Sequence, residues 1–259
     1  MKDHANWKDG KGWGRSADDE YPVILYKRAI GELPEMESSK VVAAQMRNLV
    51  REGDHILDVG CGAGHYLRSL RSSIKVTFRY TGADATPLYL DYAKKAFQGV
   101  PNVDFTQGDI FALPFPDKSF DVVMCNNVLM HLPSVEQPIR ELCRVAKRAV
   151  LFRTLVGENS FRVLESRTKG DEFHADGTPK AFAFLNIYSK AYIEHVFSQI
   201  PRITKFVIDE DWDYDSAKIN DSAEYIKDHK NPTYMIGKWQ RVGYILLPWG
   251  IAKLELSPS

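Results

Sequence analysis

The stretch Ile56-Leu57-Asp58-Val59-Gly60-Cys61-Gly62-Ala63-Gly64 sets the reading of the whole chain: an apolar run, one carboxylate, and three glycines at alternate positions. Ile56, Leu57 and Val59 favour a pleated, buried segment. Glycines at 60, 62 and 64 permit positive φ and present no Cβ to a molecule lying against the backbone. Leu67 and Leu70 then resume apolar spacing, so a helix is expected to begin just past the glycines. Strand, tight turn and helix N-terminus in that order make a nucleotide site, with backbone N–H groups as donors. The same glycines would serve a plain βα turn equally well, so the neighbouring segments have to decide.

Outward from the turn, strands and helices alternate. Apolar spacing suits helices over Pro22–Ile30 and Ser38–Val50, the second leading into the glycine strand. Val76–Gly82, Val103–Thr106, Phe120–Cys125 and Ala149–Thr154 read as further strands, with helices over Pro87–Phe97 and Val135–Val145 between them. Such alternation implies a parallel sheet covered by helices on both faces. Farther on, Tyr188–Phe197 reads as a helix, Ile203–Ile208 as a sixth strand and Arg241–Leu247 as a seventh.

Ligands of open α/β sheets lie beyond the carboxyl ends of the strands. Asp84 ends the second strand about twenty residues past the glycines, where a carboxylate can accept from both hydroxyls of a ribose. It would also cap the helix that starts near Pro87. The third strand ends at Gln107-Gly108-Asp109-Ile110, a carboxylate beside an apolar residue, suited to the amino group and ring of an adenine or to an ordinary turn. Asn126-Asn127-Val128-Leu129-Met130-His131-Leu132 follows the fourth strand and brings polar groups to the same cleft.

The 259 residues are enough for one large α/β domain with insertions. Lys plus Arg and Asp plus Glu number 34 each, so no global basic field recruits nucleic acid. Cys61, Cys125 and Cys143 form no CxxC pair, and no HxxxH or comparable ligand pair occurs, so neither a disulfide framework nor a metal site is expected. Nothing approaches the roughly 20 apolar residues of a membrane span, and MKDHANWKDGKGWGR lacks the apolar core of a signal peptide. A cytoplasmic, membrane-free protein is the expectation.

The order ILDVGCGAG, GADATP, TQGDIFALPFPDKSFDVVMCNNVLMHL resembles a class I S-adenosylmethionine-dependent methyltransferase of the type 11-like kind over roughly residues 38 to 155. The resemblance implies a Rossmann-like seven-stranded sheet, mostly parallel with an antiparallel edge strand, helices on both faces, and S-adenosylmethionine as methyl donor. It implies that Gly60, Gly62 and Gly64 line the methionine portion, with Cys61 between them and Asp58 holding the turn and the methionine amino group. Asp84 with Ala85 would meet the ribose, Asp109 with Ile110 the adenine, and Asn126 both donor and acceptor. The chain departs from the family before its fifth strand, where a glycine pair is replaced by Arg144-Val145-Ala146-Lys147-Arg148. The expected organisation is a segment over 1–37 that covers the substrate, then a methyltransferase domain over 38–259 with an insertion near 157–187 and a variable segment near 209–238.

A sulfonium already activates its methyl group, so alignment and exclusion of water supply most of the rate. His131 is the candidate base, because imidazole titrates near neutral pH. His174 with Asp176 is a second pair, or an ordinary solvated loop. For the acceptor, Tyr21, Tyr26 and Arg153 are the candidate contacts, with Phe161, Phe173, Phe182, Phe184 and Tyr188 as an aromatic lid or as the insertion's own core. Asp209, Glu210, Asp211, Asp213 and Asp215 read as a solvated acidic face. The expected reaction is methylation of an oxygen or nitrogen on a small molecule, of which a sugar-containing or natural-product intermediate is one class. An RNA or protein methyltransferase stays open, supported if Lys94, Lys95, Arg140, Arg144, Lys147 and Arg148 gather at the cleft. A non-catalytic cofactor binder stays open too, as does a nicotinamide dehydrogenase, although His65 stands where GxGxxG needs its last glycine.

Overall fold

A computed structural model describes residues 20–166, 172–211, 234–236, 239–242 and 245–258. Trp7 and Trp13, and Trp212 to Asp215, lie outside the described residues. Helices α1 (Tyr21–Ile30) and α2 (Glu37–Arg47) precede β1 (Asp54–Val59), α3 (His65–Ser73), β2 (Phe78–Asp84), α4 (Pro87–Ala96), β3 (Val103–Gln107) and β4 (Phe120–Asn126). A 3-10 turn at Leu129–His131 leads to α5 (Glu136–Val145), β5 (Ala146–Gly157), β6 (Leu164–Ser166), β7 (Phe182–Phe184), β8 (Tyr188–Ser189), α6 (Lys190–Ser198) and β9 (Ile203–Glu210). Last come β10 (Tyr234–Ile236), β11 (Trp239–Val242), β12 (Ile245–Leu247) and β13 (Trp249–Leu256).

The main sheet runs β3-β2-β1-β4-β5-β13-β9, with the short β8 attached to β5. β1 to β5 are parallel, and β13 is antiparallel to both β5 and β9. This is the expected mostly parallel sheet, and its antiparallel strand sits one place in from the edge. The seventh strand is Trp249–Leu256, not Arg241–Leu247. Residues 239–242 and 245–247 instead form β11 and β12, which join β10 in a separate three-stranded sheet. The physical reason lies in burial on both faces: Ala252, Leu254 and Leu256 enter one core and Ile251 the other, as a strand inside the sheet requires.

Local chemistry sets the element ends. Pro87 opens α4, where its missing N–H has no helical partner to lose. Ser189 caps α6 by accepting from the Tyr192 N–H at 3.2 Å. Between strands, Leu57, Val123, Val150 and Phe152 bury one sheet face against Ile139, Leu142, Val196 and Phe197 of α5 and α6. Ile56, Val122, Met124 and Leu151 bury the other against Val42, Met46, Leu67 and Leu70 of α2 and α3. Each such side chain contributes about 1.5–3 kcal/mol by leaving water. These two cores fix the strand ends, and so fix the loops that follow them. No helix among the described residues is long and apolar enough to cross a membrane.

Candidate active site

The glycine turn is clamped to the end of β2. The Ala83 carbonyl accepts from the N–H groups of Gly60 at 2.7 Å and Cys61 at 3.1 Å, and Asp84 Oδ2 accepts from Gly62 at 2.9 Å. Gly64 donates to the Cys61 carbonyl at 3.0 Å. The turn's N–H groups at 60, 61, 62 and 64 therefore have acceptors inside the protein, which differs from the anion-receiving turn expected from sequence. The glycines serve packing as well as close approach. A Cβ on Gly60, whose φ is 78°, would stand 2.3 Å from Val128 Cγ2, so this glycine lets the loop after β4 close over the turn. At Gly62 the nearest atom to a Cβ is Leu25 Cδ1, which brings α1 directly over the turn.

Two carboxylates flank this turn. Asp58 is buried, and Tyr80 donates its hydroxyl to Oδ2 at 2.7 Å. Burial pushes its carboxyl up to about 7; the Tyr80 hydrogen bond opposes that shift and the negative charge of Asp84 adds to it. Asp84 is half-buried, and its carboxyl is also raised by burial, against the N–H groups of Thr86 and Gly62 that it accepts. Two carboxylates that feel each other's charge, beside a turn whose N–H groups at 60, 61, 62 and 64 already have acceptors, make a place for positive charge. Cys61 contributes only backbone here: its buried thiol turns toward Gly82 and is pushed well above its ordinary range by burial.

The remaining cofactor candidates divide. Asp109 Oδ1 accepts from the Phe111 N–H at 3.0 Å, and Ile110 is buried in the core beside Leu113 and Leu129. Ala85 lies next to Asp84 and accepts at its carbonyl from Gln107 Nε2 at 3.1 Å. Asn126 ends β4 with both side-chain polar atoms buried and without a hydrogen-bond partner among the described residues. A native protein seldom leaves a buried amide unmatched, so Asn126 offers one donor and one acceptor to a ligand at the strand end.

A second polar cluster stands beside Asn126, and half of it was invisible in the sequence. Arg153, paired in register with Asn126, is 1% exposed and lies 3.7 Å over the Trp249 ring. Its Nε donates to Asp211 Oδ2 at 2.5 Å and its Nη1 to Asn127 Oδ1 at 2.6 Å. Asn127 holds a left-handed φ of 59° and donates to the Tyr66 hydroxyl at 3.1 Å, which in turn donates to Ser38. Burial pushes that phenol up to about 12, opposed by the charge of Arg153. Asp211 thus belongs to a buried ion pair and not to a solvated acidic face. Arg153, read from sequence as an acceptor contact, commits its Nε to Asp211 and its Nη1 to Asn127, with its guanidinium over Trp249.

His131 is half-buried in the 3-10 turn, and its Nδ1 lies 2.8 Å from the Phe184 carbonyl. A carbonyl can only accept, so Nδ1 carries the hydrogen and Nε2 is the basic nitrogen. Tyr21 and Tyr26, on α1, pack around Leu25, Ala63 and Tyr89, and the Tyr26 ring is 5.4 Å from that of Tyr92. His65, just past the turn, has its imidazole pushed down to about 3 by burial and by the nearby Arg28 charge, so it is neutral. His174 and Asp176 are exposed in a tight turn, where Asp176 accepts from the Thr178 N–H at 3.0 Å. The aromatic lid divides likewise: Phe161 and Phe173 are exposed, Phe184 and Tyr188 buried.

Lys95 lies 5.1 Å over the Tyr26 ring, whereas Arg144, Lys147 and Arg148 are taken up by ion pairs. Lys147 pairs with Asp121 at 2.9 Å, Arg148 with Asp54, and Arg144 with Asp117 at 2.8 Å and Glu141 at 2.7 Å. Asp54 and Asp121 stand at the amino ends of β1 and β4, the opposite end of the sheet from the glycine turn. Among the described residues, no three His, Cys, Asp or Glu side chains converge as metal ligands do.

Comparison with known proteins agrees with this arrangement. The family model described as methyltransferase domain matches residues 57–152. The chain is 37% identical over 100 residues to the uncharacterized methyltransferase YcgJ of Bacillus subtilis, spanning 38% of either chain. It is 35% identical over 98 residues to demethylmenaquinone methyltransferase of Staphylococcus aureus, spanning 38% of this chain and 41% of that one. The match thus spans less than half the length of these relatives. A chain in the complex between the Haloferax volcanii Trm112 methyltransferase activator and a methyltransferase superposes with a TM-score of 0.56 at 19% identity, covering 94% of this chain and 98% of that one. At that identity the likeness concerns the fold. Residues 57–152 thus match a methyltransferase domain, and over that stretch the chain is similar to S-adenosylmethionine-dependent methyltransferases.

Proposed function

We propose that this protein transfers a methyl group from S-adenosylmethionine to an oxygen or nitrogen of a small-molecule acceptor, chiefly by positioning. The observation that carries the reading is the charge at the glycine turn. Asp58 and Asp84 flank it while the N–H groups at 60, 61, 62 and 64 are already committed. A dinucleotide pyrophosphate needs free N–H donors and repels carboxylates. A ligand carrying an ammonium and a sulfonium needs the reverse. The bound donor supplies a methyl group already activated by its sulfonium; the protein aligns it and keeps water away.

In this reading Asp84 with Ala85 meets the ribose, and Asp109 and Ile110 border the adenine. Gly60, Cys61, Gly62 and Gly64 give backbone approach along the methionine portion, and Asp58 faces its amino group through the turn. Asn126 brings its unmatched amide to the reacting end. His131, whose Nε2 is its basic nitrogen, takes the proton where the acceptor must lose one. Residues 1–37 act as a cover, supported by α1 packing Leu25 against Ala63 of the turn. The methyltransferase domain spans 38–259, and Tyr21 and Tyr26 are its acceptor-side contacts.

A small acceptor is supported by the neutral chain and by the paired basic residues at the far end of the sheet. The relative named for demethylmenaquinone points the same way. A cytoplasmic setting completes the proposal, supported by three free, buried cysteines. Incubating the protein with a metabolite extract and methyl-labelled S-adenosylmethionine, then reading products by mass spectrometry, tests it. A labelled small molecule is expected; label found only in RNA or protein would overturn the acceptor class.

A further inference from the structure

Strand β9 is the end of the seven-strand path, and among the described residues it pairs with β13 alone. Phe206 is 38% exposed and Val207 40% exposed on this edge. An eight-residue edge carrying exposed apolar side chains is a template for another strand, and proteins that avoid such pairing place repelling charges there. Here the charges attract their own copy.

The segment Lys205-Phe206-Val207-Ile208-Asp209 is self-complementary about Val207. Laid antiparallel against a second copy, Lys205 stands opposite Asp209 of that copy, Phe206 opposite Ile208, and Val207 opposite itself. Lys205, Val207 and Asp209 share one face by the period of two. Behind them β13 presents Lys253 and Glu255, with Glu255 in register with Lys205 and Lys253 with Val207. Lys205 already meets Glu255 at 3.1 Å and Lys253 meets Asp209 at 2.9 Å. Across the seam the signs would therefore alternate: Glu255, Lys205, then Asp209 and Lys253 of the second copy. On the other face Phe206, held 5.1 Å from Phe197 of α6, would add apolar contact with Ile208 of the copy. The irregularity in the β9–β13 pairing falls at Glu255/Leu256, beside the start of β9, so residues 204–210 keep a regular edge. Zero formal net charge opposes no approach of two copies.

We propose that β9 is a homodimer interface, two copies pairing antiparallel about Val207 so that their sheets become continuous. The interface is independent of the methyl donor and lies at the far edge of the sheet from β3. Sedimentation equilibrium over 1–100 µM tests it, with circular dichroism to verify folding of every variant. The wild type is expected to show twice the monomer mass at 100 µM and to dissociate on dilution and at 1 M salt. Lys205→Glu and Asp209→Lys each set like charges face to face twice across the two-fold, and each should weaken the dimer at least about tenfold. The double variant Lys205→Glu with Asp209→Lys restores opposite signs and should restore the dimer. A wild type that stays monomeric at 100 µM overturns the proposal. So does a dimer that neither single variant weakens, or a double variant that remains dissociated.

Discussion

Two halves of this molecule meet at the carboxyl ends of the strands, and they are built in opposite ways. The half formed by β1 to β4 draws its site from short, local pieces: three glycines, then Asp84, then Asp109, each at the end of its own strand. The half formed by β5, β9 and β13 draws its polar cluster from residues far apart in the chain. Arg153 of β5 meets Asp211, just past β9, across 58 positions. The first half is charged so as to hold a positive ligand; the second neutralises its own charge internally.

The contrast is sharpest in what single substitutions should do. Arg153→Met leaves Asp211 buried without its cation and should destabilise the fold by about 3–5 kcal/mol, read by urea denaturation. Adding Asp211→Leu removes the stranded carboxylate and should recover most of that loss. If the double variant is no better than the single, the pair is not a self-contained unit. In the donor half, Gly60→Ala forces a Cβ into Val128 at a left-handed backbone position, and should cost about 3 kcal/mol by the same measurement.

A smaller effect separates the two halves by pH. The folded Asp58 carboxyl titrates at about 7, above its value in an unfolded chain. Between those values the folded protein holds the proton and the unfolded chain has released it, so this group's contribution to stability falls as pH rises toward 7 and stays low above it. Asp58→Asn should therefore raise stability at pH 8 by about 1–2 kcal/mol, about 3–6 °C in melting temperature, with the gain fading toward pH 4. A gain of equal size at both pH values would remove the buried carboxylate as its cause.

The same division explains what could be read from the amino-acid sequence. β1, the glycine turn, Asp84 and the β3 and β4 ends were legible because each is a strand-to-loop transition written within a few residues. Helix α1 and strand β9 were legible from periodicity. The seventh strand was misplaced because Ile245-Leu246-Leu247 is the more apolar run, while the true strand buries small Gly250 and Ala252 between β5 and β9. Asp211 read as part of an acidic face because its partner, Arg153, stands 58 positions away and meets it only through the tertiary fold. That Gly60 answers to Val128 was equally hidden, since nothing local links the turn to the loop after β4.

The most direct measurement is isothermal titration of S-adenosylmethionine, with NAD as control, into wild type and Asp84→Ala. Saturable one-to-one binding of S-adenosylmethionine and none of NAD is expected. The variant should lose about 10–100-fold in affinity, the worth of charge-assisted hydrogen bonds to ribose. Tight binding of NAD, or an S-adenosylmethionine affinity untouched by the substitution, would contradict the assignment of the glycine turn and the β2 end to the methyl donor.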